Sequence, residues 1–142
     1  MLPLHVEAAP ETRYVSSEEV RVRRLDDILS EYLPRKSRTY AKIDVQGFEL
    51  QALRGAGTFL ESVAAIQLEL SLVPLYEGSP SAVEVDAFVR QAGYQLVGVE
   101  PGFADPVSGR LLQMDGIYVR AGVLELAGAV SPEGGATRSI ER

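Results

Sequence analysis

The sequence contains no cysteine and a single histidine, His5. Disulfides, thiolate catalysis and thiolate metal sites are therefore excluded, and one imidazole cannot build a histidine metal cluster. Basic charge is also scarce: 14 Lys and Arg against 20 Asp and Glu give a net charge of -6, with a pI near 4.8. Phosphate recognition needs clustered cations, so nucleic acid is not an expected partner. No apolar run approaches the roughly 18–20 residues of a membrane span, and the first residues lack a basic stretch followed by an apolar one. The absence of cysteine is compatible with the cytoplasm, which is the expected compartment. What is present is ordinary for a globular domain: 142 residues, 46% apolar and 24% charged, enough for one sizeable core.

Residues 1–19 carry Pro3, His5 and Pro10 without helical or strand periodicity and read as an irregular arm, with His5 a surface residue rather than a base. From Val20 the chain becomes patterned. Val20 to Arg23 alternates at period two, and then Leu25, Ile28, Leu29, Tyr32 and Leu33 recur at helical spacing. Asp26 and Asp27 oppose the positive end of that helix dipole, and Pro34 stops it. Thr39 to Val45 reads as a short strand ending at the turn of Gly47. A helix follows, with Leu50, Leu53, Gly57 and Leu60 along one side. Ala65 to Leu72 alternates strictly, Ile66, Leu68, Leu70 and Leu72 on one face and Gln67, Glu69 and Ser71 on the other, so that strand has one polar surface.

A loop with Pro74, Gly78 and Pro80 leads to a helix over Ser81 to Ala92, capped by Ser79 or Ser81, buried through Val85, Phe88, Val89 and Ala92, and closed by Gly93. Tyr94 to Val99 and Gly116 to Arg120 are two further strands, joined by a loop over 100–115 in which Asp115-Gly116 reads as turn chemistry. Residues 121–142, small and Gly-rich, read as a flexible tail. The alternation implies an α/β domain over 20–120 with a mostly parallel sheet. Its last two strands have no helix between them and should pair antiparallel.

Three segments, KIDVQGFELQALRGA (Lys42 to Ala56), IQLELSLVPLYEG (Ile66 to Gly78) and GRLLQMDGIYVR (Gly109 to Arg120), together with VRRLDDIL (Val22 to Leu29), resemble the C-terminal half of FkbM-family methyltransferases. The resemblance implies a Rossmann-like class I fold and S-adenosylmethionine as cofactor. It implies methyl transfer to a hydroxyl of a sugar, lipid or natural-product acceptor. In that fold the cofactor is gripped by a Gly-rich turn after the first strand and an acid after the second. Here the earliest glycine is Gly47, and no G-x-G pattern precedes it. The expectation is a truncated domain, not active alone, with its main cofactor site outside this chain. One edge of its sheet should then be exposed and prone to self-association. The alternatives are an inactive methyltransferase-like remnant serving as a binding or interaction module, and a different nucleotide- or sugar-binding α/β enzyme.

Asp44, near the end of an inner strand beside a close-approach glycine, is the leading candidate for taking or orienting an acceptor proton. Its bland alternative is a cap on the following helix. Glu69, on the polar face of the neighbouring strand, is the second catalytic candidate, able to share a proton, a hydroxyl or a divalent cation with it, although no metal is expected. Gln46, Glu49 and Tyr76 are the candidates for substrate binding. For Glu49 a carboxylate facing the helix dipole is the favoured role, and Tyr76 reads as a ring for stacking or for holding a polar group.

Overall fold

A computed structural model describes residues 15–32 and 38–128. Residues 15–24 form no helix or strand, and Val20 and Val22, despite their alternation, are exposed. The first helix, α1, spans Leu25–Tyr32 with Asp26 and Asp27 in its first turn. His5 and Pro34 lie outside the described residues.

β1 (Thr39–Ile43) is followed by α2 (Glu49–Ala56). The helical spacing from Leu50 to Leu60 predicts one helix, but α2 ends at Gly57, whose φ of 48° leaves the right-handed helical region, and Gly57–Ser62 continues as a 3₁₀ segment. A Cβ at Gly57 would stand 2.5 Å from the tip of the Asp26 side chain, which would have to swing aside, so it is chiefly the backbone angle that calls for glycine there. Leu53 and Leu60 are still both buried, one from each segment.

β2 (Val63–Ser71) then buries Ile66, Leu68 and Leu70. α3 (Ala82–Gln91) starts at a complete capping box: the Ser81 hydroxyl accepts from the Glu84 backbone N–H, and the Glu84 carboxylate accepts from the Ser81 N–H. Of the two serines considered, Ser81 is the cap. Val85 and Val89 are buried, Phe88 and Ala92 pack against them, and Gly93, at φ 89°, turns the chain out of the helix.

β3 (Tyr94–Pro101) and β4 (Gln113–Arg120) pair antiparallel, as two strands without a helix between them must. The sheet order is β1-β2-β4-β3. β1 and β2 are parallel, while β4 is antiparallel to both its neighbours. The expectation of a mostly parallel sheet is corrected in one respect. β1, β2 and β3 do run the same way, but the last strand wedges between β2 and β3, so only one of the three pairings is parallel. Hydrogen-bond complementarity across two open edges is what draws β4 inside.

One face of the sheet is apolar. Ile43, Ile66, Leu68, Leu70 and Tyr118 meet Leu53, Ala56, Leu60, Val85 and Val89 in a single core, so α2, the 3₁₀ segment and α3 all pack on that side. Tyr40, Lys42, Gln67, Glu69 and Asp115, at the alternate positions of β1, β2 and β4, occupy the other face. After β4 the chain enters α4 (Ala121–Gly128), where an unpatterned flexible tail is expected from the sequence. Ala, Leu and Glu favour a helix once β4 anchors its start, and the Ala121 N–H bonds the Gly93 carbonyl at 3.1 Å. Residues 129–142 of that tail lie outside the described residues.

Candidate functional site

The site forms where β1 and β2 end side by side. Ile43 pairs with Leu68, so Asp44, the next residue, is level with Glu69 on the adjacent parallel strand. The chain then turns through Gln46 at φ 50° and Gly47 at φ 95°. Gln46 is the one non-glycine with positive φ among the described residues. Beneath the turn, Glu49 is buried, 4% exposed, and its Oε1 accepts from the backbone N–H groups of Val45 (3.2 Å) and Gly47 (3.1 Å). A buried carboxylate needs such donors, and the turn needs an acceptor for N–H groups that no strand satisfies. The helix cap position of α2 is Phe48, with no side-chain cap bond, so Asp44 is not the cap of α2.

Above the turn the side chains converge. Gln46 Nε2 donates to Asp44 Oδ1 at 2.7 Å and to Glu69 Oε2 at 3.1 Å, while Gln46 Oε1 accepts from the Tyr76 hydroxyl at 2.5 Å. The loop carrying Tyr76 is tied back on itself, the Ser79 hydroxyl donating to the Tyr76 carbonyl at 2.9 Å. Burial pushes the Glu69 carboxyl up to about 7, assisted by the negative charges of Asp44, Glu49 and Asp115, with a Gln113 hydrogen bond acting in the opposite direction. Two residues past Glu69, Ser71 helps to line a cavity of about 270 Å³ with Val73, Pro74, Ser79, Ser81 and Glu84.

Three residues that the sequence reading leaves out extend this cluster across the open face. Lys42 Nζ lies 3.4 Å from Asp115 Oδ2 and 4.0 Å from Asp44 Oδ2, and Asp115 holds the Lys42 ammonium above its usual range. Gln67 donates to Asp115 and accepts from Tyr40. Asp115, read from the sequence as part of a turn, sits instead inside β4 directly opposite Glu69. The signal was present: Gln113, Asp115, Ile117 and Val119 alternate with Met114, Gly116 and Tyr118, placing the strand start at Gln113. The Asp-Gly pair masks it, because that dipeptide usually marks a turn. Among the described residues no group of three or more His, Asp or Glu side chains is arranged to hold a metal ion.

Asp44, Gln46, Glu69 and Tyr76 are thus brought into one hydrogen-bonded constellation, and Glu49 lies under it. This arrangement sets two carboxylates at adjacent strand ends with the Gln46 amide bridging them, and Glu69, pushed up to about 7, can take or give a proton near neutral pH. No curated protein and no solved structure matches the chain. A family profile does: that of the methyltransferase FkbM domain aligns with residues 3–96, about two-thirds of the sequence, taking in β1, β2, the Gln46 turn and the Tyr76 loop. The strand ends that carry the constellation are therefore those of a known family, and the chain belongs to the FkbM methyltransferase domain family.

Proposed function

We propose that this chain supplies the acceptor side of an S-adenosylmethionine-dependent O-methyltransferase of the Rossmann-like class I type, acting on a hydroxyl of a sugar, lipid or natural-product acceptor. The observation that carries the reading is the pair Asp44 and Glu69, level on adjacent parallel strands and joined through Gln46 at the carboxyl ends of β1 and β2. That is where open α/β sheets bind ligands. The sheet supports it too, with three strands in one direction and a reversed last strand inserted between β2 and β3.

The donor set fits the methyl-bearing end of the cofactor: Asp44, Glu69 and Asp115 surround one cation, Lys42, so the local potential suits a sulfonium. When bound, that cofactor supplies an electrophilic methyl group. The rest of the chemistry belongs to this chain. Asp44 orients the acceptor hydroxyl, and a Glu69 oxygen takes its proton, a role suited to a carboxyl poised near neutral pH. Glu49 shapes the turn, and Tyr76 closes one side. The surplus of carboxylates disfavours anionic acceptors such as phosphate esters and favours neutral hydroxyl compounds.

No G-x-G turn precedes Gly47 in this sequence, so a glycine-rich segment joined to these residues is expected to carry most of the cofactor affinity. The test is transfer of labelled methyl to neutral hydroxyl acceptors by a polypeptide that combines such a segment with these 142 residues. Asp44→Asn and Glu69→Gln should each lower turnover by ~10²–10⁴ with little change in cofactor affinity. An inactive binding module would show no turnover, whereas turnover indifferent to both substitutions would mean that the chemistry lies on other residues. Micromolar cofactor binding by the 142 residues alone, measured by calorimetry, would overturn the division of labour.

A further inference from the structure

We propose that Gln46 is a positioning residue: its side-chain amide clamps Asp44, Glu69 and Tyr76, contributed by three separate segments, into one fixed constellation. The inference rests on the reading that Asp44 and Glu69 carry the chemistry, and it assigns Gln46 a role other than direct contact with substrate. Every hydrogen-bonding group of the amide nitrogen is engaged. Nε2 has two hydrogens, and it makes two bonds, at 2.7 Å to Asp44 and 3.1 Å to Glu69. Oε1 receives the Tyr76 hydroxyl at 2.5 Å. Two carboxylate oxygens on one side call for the nitrogen end of the amide, which leaves its oxygen to accept from the Tyr76 hydroxyl.

The backbone argues in the same direction. A glutamine at φ 50° occupies a conformation that glycine or asparagine adopts more cheaply, so local preference does not explain it. The turn is nevertheless held, because one buried oxygen of Glu49 accepts from the N–H on either side of Gln46, at Val45 and Gly47. Strain retained by an over-determined turn, with the side chain spent on three polar partners, marks a side chain selected for its placement. The electrostatics give that placement a purpose. Glu69 faces Asp44 at the end of β1, Glu49 from α2, and Asp115 with Gln113 from β4, while Lys42 is the cation that these carboxylates act on among the described residues. Carboxylates so arranged repel one another and would swing into water. A bridging –NH₂ places positive partial charge between two of them and sets their separation.

The test uses nuclear magnetic resonance on the full chain, with the Gln46 side-chain amide signals assigned by their loss in Gln46→Gly. A clamp predicts two slowly exchanging protons displaced from free-glutamine positions, which shift with pH at a midpoint near the Glu69 value of about 7. That transition should disappear in Glu69→Gln, and the signals should move in Tyr76→Phe. Amide signals at free-glutamine positions, indifferent to pH, would overturn the proposal. In the methyl-transfer assay, Gln46→Gly relieves the backbone strain and should melt close to the natural chain, yet lose on the order of 10² in turnover with cofactor affinity retained. Undiminished turnover in Gln46→Gly would also overturn it. If the amide titrates as described but no acceptor is methylated, the clamp stands and the methyltransferase reading fails, so the two are separable.

Discussion

At the scale of single residues, the carboxylates divide into those held for the fold and one held against its own preference. Glu69 has a folded pKa raised from 4.5 to about 7, so between those values the folded chain binds more protons than the unfolded one. Its contribution to stability is therefore complete below pH 4.5 and is lost as pH rises through about 7. Glu69→Gln should match the natural chain in melting temperature at low pH and exceed it above neutrality. The gap should be on the order of 1 kcal/mol, since water screens a half-open group. A gap that does not change with pH, in thermal unfolding followed by circular dichroism, would refute this. Turnover should rise with pH about the same midpoint, although that midpoint belongs to the interacting carboxylates together. Glu49 is held by two backbone donors, the N–H groups of Val45 and Gly47. Glu49→Ala strands two N–H groups beneath the turn and should cost about 1–3 kcal/mol in urea unfolding. Glu49→Gln, which keeps an acceptor there, should lose less. From the sequence alone Glu49 and Glu69 are both acids beside a motif. Burial under the turn for one, and burial together with three neighbouring carboxylates for the other, come from segments that meet only in three dimensions.

At the scale of elements, the turn from α2 into the 3₁₀ segment offers a matched pair of glycines. Gly55 lies within α2, where an added Cβ meets nothing closer than 3.9 Å, so Gly55→Ala should stabilise the fold by about 0.5–1 kcal/mol. Gly57 has φ 48°, which an L side chain adopts only under strain, and an added Cβ would stand 2.5 Å from Asp26 Oδ2 and displace that side chain, so Gly57→Ala should destabilise the fold by about 1–3 kcal/mol. Calorimetric melting of the two variants checks both signs. A destabilised Gly55→Ala would mean that α1 approaches α2 more tightly than those distances indicate. The α3 helix was legible to within one residue at each end, because its signals are local: Ser81 and Glu84 form a capping box and Gly93 a stop, although the sequence left the cap open between Ser79 and Ser81. Gly57 looked like one more small residue on a helical stripe, since its spacing with Leu53 and Leu60 is helical. The features that end the helix there, a left-handed backbone and the approach of α1, are not local.

At the scale of the whole molecule, β1 lies at one edge of the sheet, and among the described residues nothing pairs with its outer side. Unpaired strand edges template association, so the chain is expected to self-associate as concentration rises. Light scattering after size exclusion showing a monomer at every concentration would refute this. The net charge of -6 opposes association weakly and should make it stronger in salt. No helix among the described residues is long and apolar enough to cross a membrane. The sequence by itself determined the strands and helices from α1 to β4 in their order, because periods of two and 3.6, caps and prolines act within a few residues, but it missed the 3₁₀ segment and α4. It also singled out Asp44 and Glu69 through the segments they belong to. Only the tertiary structure decided that β4 enters between β2 and β3, which is a matter of hydrogen-bonding two open edges and leaves no trace in local periodicity. That insertion brings Asp115 opposite Glu69. The parallel register of β1 with β2 places Asp44 level with Glu69, within reach of one glutamine side chain. The residues of the candidate site are thus spread over more than 70 positions of sequence, from Lys42 to Asp115, and electrostatic coupling at a few ångströms exists only once the sheet has formed.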